Sequence, residues 1–377
     1  MKQKLLFVVN VDSFFISHRL PIALAALQQD YEVHVATSLT DGLNKLQSQG
    51  LIVHPLNLDR RSTGIISNVR TFFQILRIFI KLKPDIVHLI SIKPVLFGGI
   101  AARLAAVPSV VAAISGLGFI YISHGFKATV RRKLIGLFYR LALSHKNLKA
   151  IFQNEDDRET LFKTSNLNKE RTSLIRGSGV DLTRYSPSPL PEGPPVVVLA
   201  ARLYVEKGVR EFVEAARLLK SAGSNANFVI VGGPDLHNPV AISEDELNQW
   251  VSEGVIEGWG HRNDIPEVFA NSSMVVLPSY REGFSKVLTE AAACGRAVIT
   301  SDVPGCRDAI EPDATGLLVP ARDTEALAEA IKYLLDHPEV CEKMGHAGRK
   351  LAERSFDVQQ VISQHMLIYD ELLQQKN

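Results

Sequence analysis

The sequence predicts an α/β protein built from two doubly wound units with parallel sheets. Short apolar runs rich in Val and Ile alternate with helical patterns in the first part of the chain, and the alternation resumes at residue 196. Five prolines stand between the two series, in residues 186–195. With 377 residues and 46% hydrophobic content, the chain is long enough for two cores. We therefore expect two domains joined by this proline-rich linker.

The first series of apolar runs predicts five strands, at residues 5–9, 32–36, 52–55, 86–90 and 110–114. The run at the N-terminus is short and is followed by Asp12, which is typical of a first strand rather than of a signal peptide. The longest uncharged window, residues 104–123, has the length of a membrane span. Because Pro108, Gly116 and Gly118 interrupt it, we expect a buried strand there and no transmembrane helix.

The second series predicts strands at residues 196–200, 228–231, 255–257, 274–277 and 297–300, and residues 358–373 are predicted to be helical. The expected domain boundaries are 1–186, 187–355 and 356–377. Ligands of open α/β sheets bind outside the carboxyl ends of the strands. We therefore look for functional residues in the loops that follow predicted strands.

Charge is divided unevenly between the two halves. Residues 1–186 contain 25 Lys and Arg against 12 Asp and Glu, a net charge of +13, whereas the whole chain is only +2. This asymmetry indicates that the first half meets an anionic partner. The three cysteines have no metal-type spacing, so neither a disulfide framework nor a zinc site is expected, and a reducing cytoplasm fits the composition.

The segment with the most chemical content is residues 280–295. Glu282 and Glu290 lie eight positions apart, and Ser285 between them is a good helix N-cap. Gly295 fits the stop of that helix. Free N–H groups at a helix start attract an anion. The pattern suits an anionic, hydroxyl-bearing ligand whose phosphate meets the helix start and whose two ends meet the two carboxylates.

These residues resemble the E-x7-E motif of the retaining glycosyltransferases of family 4, which have the GT-B fold. Residues 199–208, with Arg202 and Lys207, resemble that family's diphosphate site, and residues 258–266 resemble its nucleotide-base loop. Segments 302–308 and 315–319 follow in the family's order. The resemblance covers roughly residues 195 to 335. It implies two Rossmann-like domains facing across a cleft, with residues 356–377 packed back on the first domain.

The resemblance gives catalytic roles to Arg202, Lys207 and Glu282. Arg202 and Lys207 would hold the diphosphate of a sugar nucleotide, where fixed cations stabilise the charge that grows as the glycosidic bond breaks. Glu282 would contact the donor sugar, and Glu290 the ribose hydroxyls. The alternatives are a solvated Arg202 and Lys207, a loop carboxylate paired with Arg281, and an exposed helix glutamate. A hydrolase pair would need neither the cations nor the base loop.

Other donor-binding residues follow from the same resemblance. The backbone of Gly283, Phe284 and Ser285 would meet phosphate and sugar hydroxyls, and Lys286 faces either the phosphate or solvent. His261 and Arg262 align with base-contacting positions, where backbone contacts usually suffice. No cofactor or metal is expected, since the cations neutralise the leaving group. UDP-sugar is the expected donor, and departure of the diphosphate from the front face is the mechanism that the family implies.

The first half departs from the family pattern in two places. Ser115 stands near the position where many relatives have a histidine that binds the donor. The glycine-rich first loop is also missing, and His18 and Arg19 stand there instead, before a predicted helix with Pro21 in its first turn. His18, Arg19, Lys93 and Ser115 are the candidate acceptor-binding residues. A helix entry at His18 and Arg19, or a capping role for Lys93, explains them equally well.

Two basic segments indicate a membrane surface. Residues 60–83 hold six Lys and Arg and residues 127–149 hold seven, and neither segment has an acid. Apolar residues at helical spacing beside these charges suit a helix lying on anionic lipid, although a helix packed on its sheet explains the spacing too. Nucleic acid is not expected, because no binding motif for it is present.

Together these features predict a retaining, metal-independent glycosyltransferase at the inner face of the cytoplasmic membrane. It would move a hexose or N-acetylhexosamine from a UDP-sugar to a saccharide on polyprenyl diphosphate, in the assembly of a bacterial surface glycan or glycoprotein glycan. Segments 92–103 and 304–308 resemble the family members that build such glycans. A transferase for a soluble acceptor, a GT-B epimerase of UDP-amino sugars and a catalytically silent binding module remain as alternatives.

Overall fold

The structure, a computed structural model, describes residues 2–58, 64–117, 126–165, 167–235 and 240–375, without the side chains of residues 65 and 126–130. The chain divides into two compact units. One comprises Met1–Ser178 with Val358–Asn377, and the other comprises Gly179–Asp357. The proline-rich segment 186–195 therefore belongs to the second unit.

The first unit is built on a seven-stranded parallel sheet in the order β3-β2-β1-β4-β5-β6-β7. Its central strands are buried along their whole length, which explains their Val- and Ile-rich sequences. The strands are β1 (Lys4–Val11), β2 (Glu32–Ser38), β3 (Ile52–Pro55), β4 (Ile86–Ile90), β5 (Ser109–Ile114), β6 (Leu148–Phe152) and β7 (Thr172–Leu174). The helices are α1 (Asp12–His18), α2 (Leu20–Gln28), α3 (Leu43–Ser48), α4 (Ile65–Leu82), α5 (Ile92–Leu104), α6 (Phe126–Ala142) and α7 (Glu155–Ser165).

The second unit has a six-stranded parallel sheet in the order β10-β9-β8-β11-β12-β13. Its strands are β8 (Val196–Ala200), β9 (Asn227–Val231), β10 (Glu257–Gly258), β11 (Met274–Leu277), β12 (Ala297–Ser301) and β13 (Gly316–Val319). Its helices are α8 (Val209–Ser221), α9 (Glu244–Ser252), α10 (Ile265–Ala270), α11 (Lys286–Ala293), α12 (Thr324–Asp336) and α13 (Pro338–Ser355).

Helices cover both faces of the first sheet, and each face has its own apolar core. On one face α4, α5 and α6 pack side by side over residues such as Leu6, Val87 and Val110. On the other, α2 and the C-terminal helix α14 (Val358–Gln374) pack together over residues such as Phe7 and Ile86. Each strand contributes to both cores, because its successive side chains point to opposite faces of the sheet.

All ten predicted strands are present. Most ends agree within one residue, but the strand predicted at 255–257 is the two-residue β10, because Val255 and Ile256 turn into the core before it. Three strands were not predicted. Lys149 interrupts the apolar run of β6, β7 has only three residues, and residues 316–319 were assigned to a motif rather than to β13.

In the uncharged window at residues 104–123, the described residues 105–117 form no helix. Leu104 ends α5, and β5 follows, as the prolines and glycines predicted. In the described ranges, no helix combines the length and apolarity needed to cross a membrane. The predicted break at Gly118, and Arg60 and Arg61 of the first basic segment, lie outside the described residues.

Candidate active site

The loops that follow β8 and β11 meet at the carboxyl edge of the second sheet. These strands are neighbours although they are not consecutive in the chain. Gly208, in the loop after β8, has a φ of +72° and approaches the chain after β11 so closely that a Cβ would lie 2.2 Å from the carbonyl oxygen of Pro278. Only glycine fits both conditions. The Glu-Lys-Gly segment and the two-glutamate segment therefore share one site, at the switch point where ligands of such sheets bind.

A lysine and a glutamate from these two loops form an ion pair. Lys207 Nζ contacts Glu282 Oε1, and both side chains are mostly buried, with exposures of 16% and 14%. Ser279 also donates its hydroxyl to Glu282 Oε1 at 2.7 Å. The pair brings together two residues that the sequence assigned to catalysis from separate motifs.

The 302–308 segment supports the loop that carries Glu282. The Glu282 amide donates to the carbonyl of Pro304 at 3.2 Å, and the Ser285 amide donates to that of Gly305 at 3.0 Å. Gly305 has a φ of +78°, and a Cβ there would lie 2.5 Å from the Glu282 carbonyl oxygen. The Asp308 carboxylate accepts from the Gly305 amide at 2.8 Å. This segment therefore holds the backbone at the start of α11.

Helix α11 begins and ends where the sequence predicted. Ser285 is its N-cap, with its side chain 3.5 Å from the Leu288 amide, and Gly295 follows the helix with a φ of +70°. Glu290 lies in the second turn. Its side chain is only 7% exposed, with Lys286 Nζ 3.2 Å away. The exposed helix glutamate considered as an alternative is therefore excluded by burial.

Sequence reasoning missed Tyr185, which is 6% exposed and packs in the same apolar core as Leu288 and Ala291 of α11. Burial first, and then the charge of Glu290, raise the pKa of Tyr185. The phenol is therefore a hydrogen-bond donor at neutral pH. No periodicity or motif pointed to this residue, because it stands at the edge of the proline-rich segment that was interpreted as a linker.

Arg202 lies in the loop after β8, and the base loop, residues 258–266, continues from β10 of the same sheet. Arg202 is exposed, and its guanidinium lies 4.8 Å from the centre of the Tyr204 ring. In the base loop His261 is exposed, and Arg262 Nε donates to Asp264 at 2.7 Å. This hydrogen bond is the main reason why the pKa of Asp264 is lowered to about 2. The Arg262 side chain is thus committed within its own loop.

Three of the four candidate acceptor residues follow the carboxyl ends of strands in the first unit. His18 ends α1 after β1, Lys93 is in the first turn of α5 after β4, and Ser115 follows β5. These strands are adjacent in the sheet. Within the described residues, the buried hydroxyl of Ser115 has no hydrogen-bond partner.

Arg19 lies in the core and not at a cleft-facing helix start. It is the N-cap of α2 and only 2% exposed, and its surroundings include Tyr369, His88 and His365. Burial lowers the pKa of Arg19 to about 10. The sequence could not show this, because α14, which covers Arg19, comes from the other end of the chain.

Metal and cysteine chemistry give no further candidates. In the part of the chain that the structure describes, no cluster of His, Cys, Asp or Glu is arranged to hold a metal ion. Cys294, Cys306 and Cys341 are unbridged and buried. Burial raises the pKa of each thiol to about 11 or 12, so none is a reactive thiolate at neutral pH.

Two family models match the chain. The model for group 1 glycosyl transferases matches residues 185–351, and the model for 4-like glycosyl transferases matches residues 4–154. The chain is 30% identical over 380 residues to an N,N'-diacetylbacillosaminyl-diphospho-undecaprenol α-1,3-N-acetylgalactosaminyltransferase of Campylobacter jejuni, covering 97% of this chain and 98% of the relative. It is 27% identical to a UDP-Gal:α-D-GlcNAc-diphosphoundecaprenol α-1,3-galactosyltransferase of Escherichia coli, covering 73% of both chains.

Solved structures share the fold over nearly the whole length. Sucrose-phosphate synthase of Thermosynechococcus elongatus superposes with a TM-score of 0.83 at 20% identity, covering 98% of this chain and 99% of that chain. HepE of Anabaena, solved with UDP and glucose, superposes with a TM-score of 0.78 at 19% identity over the same shares of the chains. The two Rossmann-like units are those of the GT-B fold, which confirms the predicted fold class.

Proposed function

Since this chain belongs to the group 1, family-4-like glycosyltransferases, we propose that it moves a hexose or N-acetylhexosamine from a UDP-sugar to a saccharide on polyprenyl diphosphate. The product would be a bacterial surface glycan or glycoprotein glycan. The observation that carries the proposal is the meeting of the β8 and β11 loops. It places Lys207, Glu282 and the start of α11 in one site.

The leaving diphosphate would be held by cations and by a helix start. Lys207 is fixed by its contact with Glu282, and Arg202 stands exposed on the same loop. Charge develops on the diphosphate as the sugar departs, so preorganised cations favour the transition state over the ground state. The backbone of Gly283, Phe284 and Ser285, together with Lys286, would complete this end of the site.

The two glutamates would hold the hydroxyl-bearing ends of the donor. Glu290 is buried, with Lys286 Nζ 3.2 Å from its carboxylate, and a carboxylate in such a place suits acceptance of two ribose hydroxyls. Glu282 would contact the donor sugar. His261 and Arg262 would meet the base through their backbone, since the Arg262 guanidinium is paired with Asp264.

UDP is the nucleotide that is named with two of the proteins similar to this chain. HepE was solved with UDP and with UDP-glucose, and the Escherichia coli relative is named for UDP-Gal. We further propose that transfer retains the anomeric configuration by front-face departure of the diphosphate. We also propose that it needs no metal, because Arg202 and Lys207 neutralise the leaving group.

The acceptor would be lipid-linked, as in the relatives named for diphospho-undecaprenol saccharides. His18, Lys93 and Ser115 are the proposed acceptor residues. They follow neighbouring strand ends in the first unit, and Ser115 has a buried hydroxyl free for a partner within the described residues. Arg19 is left out of this set because it is buried beneath α14.

A membrane surface would bind the basic helix layer, which we define as α4, α5 and α6. These helices contain Lys and Arg but no Asp or Glu. Among the described residues, nine of the fifteen exposed large apolar side chains belong to this layer: Ile66, Val69, Phe73, Ile80, Leu104, Leu134, Leu137, Phe138 and Leu141. Exposed apolar and basic side chains on one face suit an anionic bilayer surface. The protein would then work at the inner face of the cytoplasmic membrane.

The proposal is tested in two steps. A thermal-shift screen across nucleotide sugars should raise the melting temperature with one UDP-sugar, because a ligand of the folded state stabilises it. Transfer from that donor to a polyprenyl-diphosphate saccharide is then followed by mass spectrometry, with and without EDTA. The anomeric configuration of the product is read by NMR.

Three outcomes would contradict parts of this proposal. Transfer only to a soluble saccharide would contradict the proposed lipid-linked acceptor. An isomerised UDP-sugar formed without acceptor would indicate an epimerase. An inverted product, or activity lost in EDTA, would overturn the retaining or the metal-independent mechanism.

A further inference from the structure

The exposed side chain of Arg202 lies over an aromatic ring of its own loop. Its guanidinium carbon is 4.8 Å from the centre of the Tyr204 ring. Stacking of this kind uses the flat face of the guanidinium. It leaves the N–H groups at the edge of that plane available, and these are the groups that bind phosphate oxygens in pairs. The ring therefore restricts Arg202 without occupying its donors.

The Tyr204 ring is held in place by a residue from the neighbouring strand. Tyr204 is 9% exposed, and its hydroxyl donates to Asp235 Oδ2 at 2.9 Å. Asp235 lies in the loop after β9, and β9 is next to β8 in the sheet. Hydrogen bonds to a charged acceptor are stronger than those between neutral groups. The phenol is thus anchored at the end of the side chain that is farthest from its backbone.

The backbone of Tyr204 is fixed as well. Tyr204 forms an isolated antiparallel bridge with Ala241, and the Ile242 amide donates to the Leu203 carbonyl at 2.7 Å. Backbone and hydroxyl are therefore both tied to segments that follow β9. A ring held at both ends offers Arg202 a rigid surface on which to stack.

A glycine brings the loop of Asp235 against the loop of Arg202. A Cβ at Gly232 would lie 2.1 Å from the carbonyl oxygen of Ala201, so a larger residue does not fit there. The Gly232 amide also donates to the carbonyl of Gly260, in the base loop, at 2.9 Å. The loop that anchors the Tyr204 hydroxyl is thus packed on the loop that carries Arg202.

We propose that Tyr204, anchored by Asp235, is a positioning residue for Arg202 and holds its guanidinium in place for the diphosphate of the donor. An exposed arginine samples many rotamers and loses that freedom when it binds a ligand. A stacked arginine has already lost part of that freedom, so the diphosphate is bound at a smaller entropic cost. This inference rests on the proposed diphosphate-binding role of Arg202.

The test is the affinity of Tyr204→Leu for two probes on the full chain, UDP by calorimetry and uridine by ligand-observed NMR. We expect the variant to bind UDP about three- to ten-fold more weakly, which is the size of a lost cation–π contact. Uridine has no phosphate, so its affinity should not change. Tyr204→Phe keeps the ring and loses only the hydrogen bond to Asp235, so it should lose less UDP affinity than Tyr204→Leu.

Control variants separate positioning from folding. Tyr333→Leu removes an exposed tyrosine from α12 of the same unit and should change neither affinity. Tyr204→Leu combined with Arg202→Ala should bind UDP as Arg202→Ala alone does, because the ring acts through the guanidinium. Equal loss for both probes, no loss for UDP, or a further loss in the Arg202→Ala background would overturn the inference.

The proposed function fails in a different way. If the wild type does not bind UDP, or if Arg202→Ala keeps full UDP affinity, then the diphosphate assignment is wrong and the positioning role falls with it. Weaker UDP binding by Arg202→Ala together with an unchanged Tyr204→Leu leaves the assignment intact and refutes only the positioning role.

Discussion

At the scale of single residues, the informative contact is the one between Lys207 and Glu282. Each is mostly shielded from water, and each is the other's charge partner. Removal of one member of such a pair leaves the other charge uncompensated. We therefore expect substitutions of the two residues to affect an anionic ligand differently.

We expect Lys207→Ala to weaken UDP binding by about ten- to a hundred-fold, because it removes a charge-assisted contact and leaves the Glu282 carboxylate facing the diphosphate. Glu282→Gln should keep most of the UDP affinity and lower kcat, since its proposed contact is with the sugar. Calorimetry and steady-state kinetics measure the two effects. Lys220→Ala, at the far end of α8, is the matched control. Unchanged affinity in Lys207→Ala would contradict the diphosphate assignment.

At the scale of elements, α14 is held on the first unit by a buried polar cluster. The Tyr369 hydroxyl lies 2.7 Å from His88 Nδ1, and His365 Nδ1 lies 2.7 Å from the Val361 carbonyl oxygen. Burial, and then the charge of Arg19, lower the pKa of His365 to about 3. The folded form thus holds this imidazole neutral.

The stability of the first unit should therefore depend on pH. In the unfolded chain His365 binds a proton below about pH 6.5, whereas in the folded chain it stays neutral down to about pH 3. The contribution of His365 to the free energy of unfolding is therefore complete above about pH 6.5 and is lost as the pH falls from about 6.5 toward 3. For His365 alone the loss at pH 5.5 is about 1.4 kcal/mol. Urea unfolding at pH 7.5 and 5.5 measures it, and His365→Asn should reduce the difference. His346→Asn, on an exposed histidine, should leave it unchanged. A wild-type stability that does not fall would refute the buried neutral state.

At the scale of the whole molecule, charge and exposed apolar surface coincide in the first unit. The half of the chain with a net charge of +13 also contains the basic helix layer, whose helices have no acid. Packing on the sheet uses the other side of these helices, since Ile75 and Phe79 of α4 are core residues. The solvent side is left for a partner.

We expect Arg70→Glu with Arg77→Glu, two exposed positions on α4, to reduce binding to vesicles rich in anionic lipid by at least about ten-fold, since each basic residue contributes about 1 kcal/mol there. Vesicle flotation measures this. Lys343→Glu with Lys350→Glu on α13 makes the same change in net charge on the second unit and should float as the wild type does. Equal losses in both variants would show a general charge effect and no docking face.

Much of the fold followed from pattern alone. Strands rich in Val and Ile, the cap at Ser285 and the stop at Gly295 are local features, and the structure has them where the sequence predicted them. The strands that were missed are short or carry a charge, as Lys149 does in β6. The proline-rich segment was interpreted as a linker, but in the structure it belongs to the second unit. Prolines indicate an irregular backbone, and an irregular backbone can still be packed on a domain.

The sequence by itself determined the class of fold, the family and the residue types at the candidate site, because these are encoded in spacing along one segment at a time. Only the tertiary structure decided that Lys207 meets Glu282, that Tyr185 packs against α11 and that Arg19 is buried under α14. Each of these contacts joins segments far apart in the chain. Their formation depends on which loops the sheet order brings together, and spacing within one segment carries no information about that order.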